Sequence, residues 1–258
     1  MIPEEFFAAF AALHDRRPDA RLALRWHGSL PSTMDAAAAL ANDGKAHGAV
    51  VVADEQTAGR GRRGTTWISP PGAGLYCSFL ARPSAHASAL SLLTLAAGVA
   101  VRDGVMAATG LTPDLKWPND LLAGRRKLAG ILAEGHGIGA AQQAVIIGVG
   151  VNVRQAAYPP DVQARATSLE DELGRPVDRG VLLAEILVAI WDRLAQFEER
   201  PGDILQAWRA ASPHAVGARV EWQGRHGVTA GIDDTGALLV KTADGVERII
   251  AGELQWVL

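Results

Sequence analysis

Cysteine is almost missing from this chain: Cys77 is the single one in 258 residues. That excludes an internal disulfide and fits a reducing compartment. Long apolar runs are missing too, none reaching the roughly 18 residues of a membrane-spanning helix. The start, Met1-Ile2-Pro3-Glu4-Glu5, lacks the basic residues of a secretory leader. The expectation is a cytoplasmic protein without membrane contact. No charge sign dominates either; the net charge of -3 argues against general nucleic-acid binding. The seven histidines show no metal-ligand spacing with Cys77. There is no G-x-S-x-G nucleophile elbow, and no internal repeat or low-complexity segment. Cys77 lies in the apolar run Leu75-Tyr76-Cys77-Ser78-Phe79-Leu80 and reads as a small core residue, not a nucleophile. What remains is 48% hydrophobic and 21% charged, sufficient for one large domain or a large and a small one.

Against these absences stands Gly59-Arg60-Gly61-Arg62-Arg63-Gly64, followed by Thr65, Thr66 and Trp67. Glycines let backbone N–H groups approach a ligand and allow φ > 0. Arginines add planar, permanently charged forks for phosphate or carboxylate. The apolar run Ala49 to Ala53 reads as a strand feeding this loop. The spacing fits the dinucleotide fingerprint G-x-G-x-x-G, but that motif needs a helix next. Here Pro70-Pro71-Gly72-Ala73-Gly74 prevents one. It also fits the frame of a Walker loop, but Thr65 stands where the lysine belongs. Both common anion loops fail, leaving either a solvated basic loop or an anion site of another kind.

Along the chain, Glu4 to Leu13 predicts a short amphipathic helix and Leu22 to Trp26 a strand. Ser32, followed by Asp35, reads as a helix cap or as a polar-ligand site at a helix N-terminus. Ser88 to about Ala108 predicts a long scaffold helix. Leu115 to Leu122 predicts a strand broken by Pro118, which gathers Lys116, Asn119 and Asp120 on one turn. Lys116 suits a phosphate; Asp120 suits Mg²⁺ or a sugar hydroxyl. Gly124-Arg125-Arg126 predicts a hairpin turn and Lys127 to Glu134 its return strand. There Lys127 reads as an edge gatekeeper, and Gly130 marks close approach of a ligand or another backbone. Ala144 to Val153 predicts a fully apolar strand whose Gly148 and Gly150 leave room for a flat ligand. Tyr158 opens a loop, and a helix starts at Asp178 or Arg179. About Asp203 to Ala210 predicts another. Val216 to Glu221, Val228 to Ile232, Leu238 to Lys241 and Arg248 to Ile250 then predict a small antiparallel, barrel-like module. The fold class is α+β: a mixed sheet with helices packed on it in 1–212, then the small barrel in 213–258.

Taken together, Ser32-Thr33, Gln56 with Gly59 to Gly64, Trp67, Lys116 to Asp120, Lys127 to Gly130 and Gly148 to Asn152 resemble the biotin–protein ligases. The resemblance covers the chain from Trp26 onward, including an SH3-like C-terminal barrel. It implies a two-step reaction. Biotin and ATP give biotinyl-5′-AMP, and the biotinyl group then passes to a lysine of a biotin carboxyl carrier protein. It implies that Ser32, Thr33 and Gln56 bond biotin, beside Gly130 and Gly148. Arg60, Gly61, Arg62 and Arg63 would wrap the adenylate, with Arg62 limiting its early release. Trp67 would pack near the nucleotide. Lys116, Asn119 and Asp120 would serve ATP and Mg²⁺, and Asn152 the ribose or phosphate. Lys127 would contact the biotin carboxylate and α-phosphate. Lys127 and Arg62 are thus the catalytic candidates. Family members often have Asn where this chain has Met34, so that contact is not carried over. With only about twenty residues before the first strand, DNA binding is not expected. Family members include monomers and dimers, so a homodimer stays open. Two other readings remain: a lipoate or octanoate ligase or transferase of the same fold, and a non-catalytic nucleic-acid-binding module.

Overall fold

A computed structural model of the protein describes residues 2–83, 90–137, 143–156, 158–250, 252 and 254–257. Seven strands form one mixed sheet: β1 (Ala23–Leu30), β2 (Ala49–Gln56), β3 (Gly74–Ala81), β4 (Asp114–Lys116), β5 (Asp120–Ala123), β6 (Arg126–His136) and β7 (Ala144–Asn152). Their order is β1-β2-β3-β7-β6-β5-β4. Only β1 and β2 run parallel, and helix α2 (Thr33–Asn42) makes the crossover between them.

The sheet's two faces differ, and alternation along the strands shows why. Val50, Val52, Phe79, Ile147, Val149 and Val151 point into the large core. That core is closed by α1 (Glu4–Arg16), α3 (Leu90–Thr109), α6 (Arg179–Glu199) and α7 (Pro201–Ala211). The other face carries Val51, Leu80, Ala144 and Ile146, which meet Met34, Ala37 and Leu40 of α2 in a smaller core. Helix α2 is short and covers only part of that face. Further along β7 the same face carries Gly148 and Gly150. A strand apolar on both sides thus ends with one side bare.

Several expectations shift in detail. β1 extends to Leu30 and α7 begins at Pro201, because a proline at the first helical position loses no hydrogen bond. The loop after Tyr158 contains two short helices, α4 (Pro160–Gln163) and α5 (Leu169–Leu173), the second capped by Ser168. The expected start of α3 at Ser88 lies outside the described residues. Ser91–Thr109 is long and apolar enough to cross a membrane by composition alone, but it packs as a core helix. Its charged pair is spoken for: Arg102 donates to Pro113 O, and Asp103 pairs with Arg193 at 2.7 Å.

Helix α1 is tied in by Arg179. This guanidinium is 7% exposed and reaches Glu5 and Asp54, each at 2.7 Å. Burial opposes its charge, but the two carboxylates outweigh that and raise its pKa. On the far side, His47 lies between Trp191 and Phe79, and its Nδ1 accepts from the Arg82 N–H at 3.1 Å. Burial lowers its pKa. Below the ordinary histidine value of about 6.5, the unfolded chain takes up a proton that the folded chain refuses. Stability should therefore fall as pH drops from about 6.5 toward the folded value. His47→Gln should flatten that part of the profile, read as urea midpoints at pH 7 and pH 5.5; an equal slope in both proteins removes this assignment.

Beyond α7 and a 3₁₀ turn at Pro213–Ala215 come β8 (Val216–Trp222), β9 (Arg225–Ile232), β10 (Leu238–Thr242), β11 (Gly245–Ile249) and β12 (Gln255–Val257). They form an antiparallel sheet in the order β11-β10-β9-β8-β12, the expected small barrel-like module. β11 starts earlier than Arg248, directly after the tight Ala243-Asp244 turn, and Ile250 falls outside it at 60% exposure. The β9–β10 turn is held by Asp233, which accepts from Thr235 N, Ala237 N and Arg248; these bonds override burial and bring its carboxyl to about 2. Trp117 Nε1 donates to Gly236 O at 3.0 Å, fastening this turn to the main sheet.

Candidate active site

The bare end of the sheet is the floor of a groove of about 730 Å³. Its roof is the arginine loop, which folds as a small hairpin: Gly61 N bonds Thr65 O at 2.7 Å and Trp67 N bonds Gly59 O at 2.9 Å. The tip, Arg62–Gly64, is a 3₁₀ turn with Arg63 at φ 54°, a left-handed conformation unusual for a residue with a side chain. The hairpin delivers Trp67 onto the glycines. A Cβ at Gly150 would lie 2.5 Å from the Trp67 ring, and one at Gly130 would lie 3.0 Å from it. At Gly148 a Cβ would meet Met34 Sδ at 2.5 Å. The flat group lying on these glycines is therefore the protein's own indole, and Met34 fills the next position. Trp67 Nε1 is buried there without a hydrogen-bond partner among the described residues.

One wall is a polar relay. Ser78 Oγ donates to Thr33 Oγ1 at 2.8 Å; Thr33 N and Oγ1 both donate to Gln56 Oε1; Gln56 Nε2 donates to Ser69 Oγ at 2.9 Å. Both lone pairs of the Gln56 carbonyl are thereby used, and one amide hydrogen remains. Ser32 is 2% exposed, does not line the groove, and accepts the Met34 N–H as the N-cap of α2. Its capping role is thus the one the structure displays.

The opposite wall is cationic. Lys127 Nζ lies 2.6 Å from Asp120 Oδ1 and 5.3 Å above the Trp67 ring. Lys116 and Arg62 also line the groove and have no ion pair among the described residues. Burial lowers the pKa of each. Asp120 offsets part of that cost for both, but with Lys127 beside it one carboxylate faces three cations, a surplus of positive charge that an anion would relieve. Arg63, Gly61 and Asn119 are at the same groove; Asn119 Nδ2 donates to Ile131 O at 2.8 Å and fixes the β4–β5 turn. Asn152, expected at the ribose, is 4% exposed and does not line the groove. Its Nδ2 donates to Thr167 O at 3.0 Å and its Oδ1 accepts from Tyr158 Oη at 3.3 Å, so it braces the backbone behind Lys127. Cys77 is buried beneath the floor, its thiol pushed up to about 12, which suits core and not nucleophile.

Sequence reasoning missed several contributors, Ser78 and Trp256 among them. Ser78 had a signal, as the lone aliphatic hydroxyl in an apolar run. Trp256 had none: it lies on the three-residue strand β12, far along the chain, yet its ring faces Lys116 at 5.6 Å. Leu254 and Gln255 reach the same groove. The C-terminal module thus completes one end of the site.

Such a site sets a polar amide and hydroxyl wall beside a floor sealed by Trp67 and Met34, and gathers cations around the same groove. Family models agree with that chemistry. Residues 27–152 match the biotin/lipoate A/B protein ligase family, and residues 225–255 match the biotin protein ligase C terminal domain. The chain is 35% identical to the bifunctional ligase/repressor BirA of Bacillus subtilis over 241 residues, 90% of this chain and 73% of that one. It is 37% identical to the biotin–[acetyl-CoA-carboxylase] ligase of Paracoccus denitrificans, over 79% of this chain and 88% of that one. The solved biotin protein ligase of Aquifex aeolicus in complex with biotin and ATP superposes with a TM-score of 0.77 at 30% identity, covering 90% of this chain and 97% of that one. With the hairpin, the glycine floor and both family segments in place, the chain belongs to the biotin protein ligase family and is a ligase.

Proposed function

We propose that this ligase joins biotin to ATP as biotinyl-5′-AMP and then passes the biotinyl group to a lysine of a biotin carboxyl carrier protein. The observation that carries this reading is the gathering of Lys116, Lys127 and Arg62 around Asp120 in a groove whose other lining charges are all arginines. A carboxylate oxygen must attack the α-phosphorus and displace pyrophosphate. Two anions approach each other, so preformed cations aimed at the developing charge lower the barrier. In the second step the carrier's amine attacks the acyl carbon and AMP leaves with the bonding pair.

In this reading the Thr33–Gln56 wall receives the ring end of biotin; Trp67 and Met34 cover Gly130 and Gly148 in this structure, and those glycines would meet biotin once the two side chains move aside. Lys127 sits between the carboxylate and the α-phosphate; Arg62, Arg63 and Lys116 serve the phosphates; Trp67 covers the junction. Its buried, partnerless Nε1 suits a ligand acceptor. Ser32 and Asn152 act one layer out, through α2 and through the Lys127 backbone. No group of three or more His, Cys, Asp or Glu side chains is assembled among the described residues. A Mg²⁺ would then arrive on the triphosphate with Asp120 as its protein ligand, the usual habit of this ion. Bound there, it would neutralise phosphate charge. The proposal includes a functional division near residue 212, supported by the separate sheets, and action in the cytoplasm without DNA, supported by the lone, buried Cys77 and the net charge of -3.

The test is mass spectrometry of a carrier domain incubated with the protein, biotin and MgATP. One added biotinyl group on one lysine is expected. Modification only when lipoate replaces biotin would move the assignment to the other branch of the family, which the matching biotin-ligase C-terminal segment disfavours.

A further inference from the structure

Arg60 behaves differently from the other cations of the hairpin. Its Nη2 donates to Glu134 Oε2 at 3.0 Å and lies 3.1 Å from Asp35 Oδ1. Asp35 belongs to the first turn of α2 and Glu134 to β6, where it stands opposite Ile146. Among the described residues, Arg60 is the one hairpin side chain ion-paired to anything outside the hairpin. Its charge is thus already answered by two carboxylates in contact, whereas Arg62 and Lys116 feel Asp120 only at longer range and make no ion pair among the described residues.

We infer that Asp35 and Glu134 are positioning residues which, with Arg60, form a clasp holding the arginine hairpin down on the groove. The clasp thereby sets how long an activated acyl-adenylate stays inside. The inference rests on the ligase reading above and differs from the expectation that Arg60 wraps the adenylate itself. Three facts carry it. The bond joins the roof to both a helix and a strand that frame the smaller core. One guanidinium nitrogen serves both acids, so the second pair costs little further ordering. The two acids share a nitrogen and lie at most about 6 Å apart, so without Arg60 they repel. All three side chains are partly exposed, 39% to 60%, so each bond alone is weak and salt-sensitive. That suits a closure that must open every turnover.

The test compares parent, Asp35→Asn/Glu134→Gln, Arg60→Gln and the triple variant. Without carrier, first-turnover formation of enzyme-bound biotinyl-AMP should stay within about twofold in the double variant. Its escape, read as biotin appearing on a bystander protein, should rise roughly three- to tenfold, as loss of one or two exposed pairs allows. The triple variant should leak no more than Arg60→Gln, since all three residues act as one unit. Raising salt should increase escape from the parent and not from the double variant. In ligand-free protein, trypsin should cut after Arg62 or Arg63 faster in the double variant. Equal escape and equal trypsin rates in parent and double variant would overturn the clasp; so would additive leaks in the triple variant. A parent that forms no biotinyl-AMP would overturn the ligase reading instead, and the trypsin comparison would still decide the clasp.

Discussion

Replacing Lys127 by alanine is expected to slow biotinyl-AMP formation by roughly 10²–10³-fold, the usual cost of removing one donor from a developing charge. The fold should survive. The backbone of Lys127 is held by Arg165 O at 2.7 Å and by Thr167 N at 2.9 Å, and neither bond involves its side chain. What disappears is the ammonium 2.6 Å from Asp120 and above Trp67. Asp120 then faces the incoming triphosphate with one cation fewer, which adds repulsion to the lost attraction. Pyrophosphate exchange measures the effect, and a thermal melt checks the fold. Exchange at the parent rate would remove Lys127 from the chemistry; a collapsed melting temperature would make its role structural.

Gly150→Ala is expected to cost on the order of 10²-fold in the same assay, for a reason outside the sheet. Alanine fits a strand at least as well as glycine, and Gly150 pairs normally with Gly130 and Tyr76. Its new methyl group, however, would sit 2.5 Å from the Trp67 ring. The indole must move, and its backbone bond to Gly59 O makes the hairpin move with it. Misplacing a catalytic arrangement by about 1 Å can cost this much. Faster tryptic cleavage at Arg62 or Arg63 should accompany the loss. Parent kinetics and parent cleavage together would show that Trp67 does not need this seat.

How much of this was legible in the residues depended on how local each signal was. β7 could be read because Ala144 to Asn152 is apolar throughout, and its glycines pointed to close approach. What approached could not be read: Trp67 lies some eighty residues away, and only the antiparallel β3–β7–β6 pairing brings it there. The barrel strands announced themselves through turns such as Asp233-Asp234-Thr235-Gly236, whereas β12 is too short for any periodicity. Lys116 and Asp120 were legible as a cluster because one hairpin turn joins them. The clasp of Arg60 was not, since Asp35 and Glu134 are ninety-nine positions apart and neither belongs to a motif.

The Arg179 triad has a practical bearing on the amino-terminal end. Glu5 and Asp54 share that buried guanidinium, and Asp54 stands two residues before Gln56 in the polar wall. Trimming the first helix, or crowding it with a bulky tag, would strand a buried positive group with half its compensation, a change of the kind that costs about 3–5 kcal/mol. The disturbance would travel along one strand into the Thr33–Gln56 wall. Fusions should therefore leave Glu4–Arg16 untouched, even though none of it lines the groove.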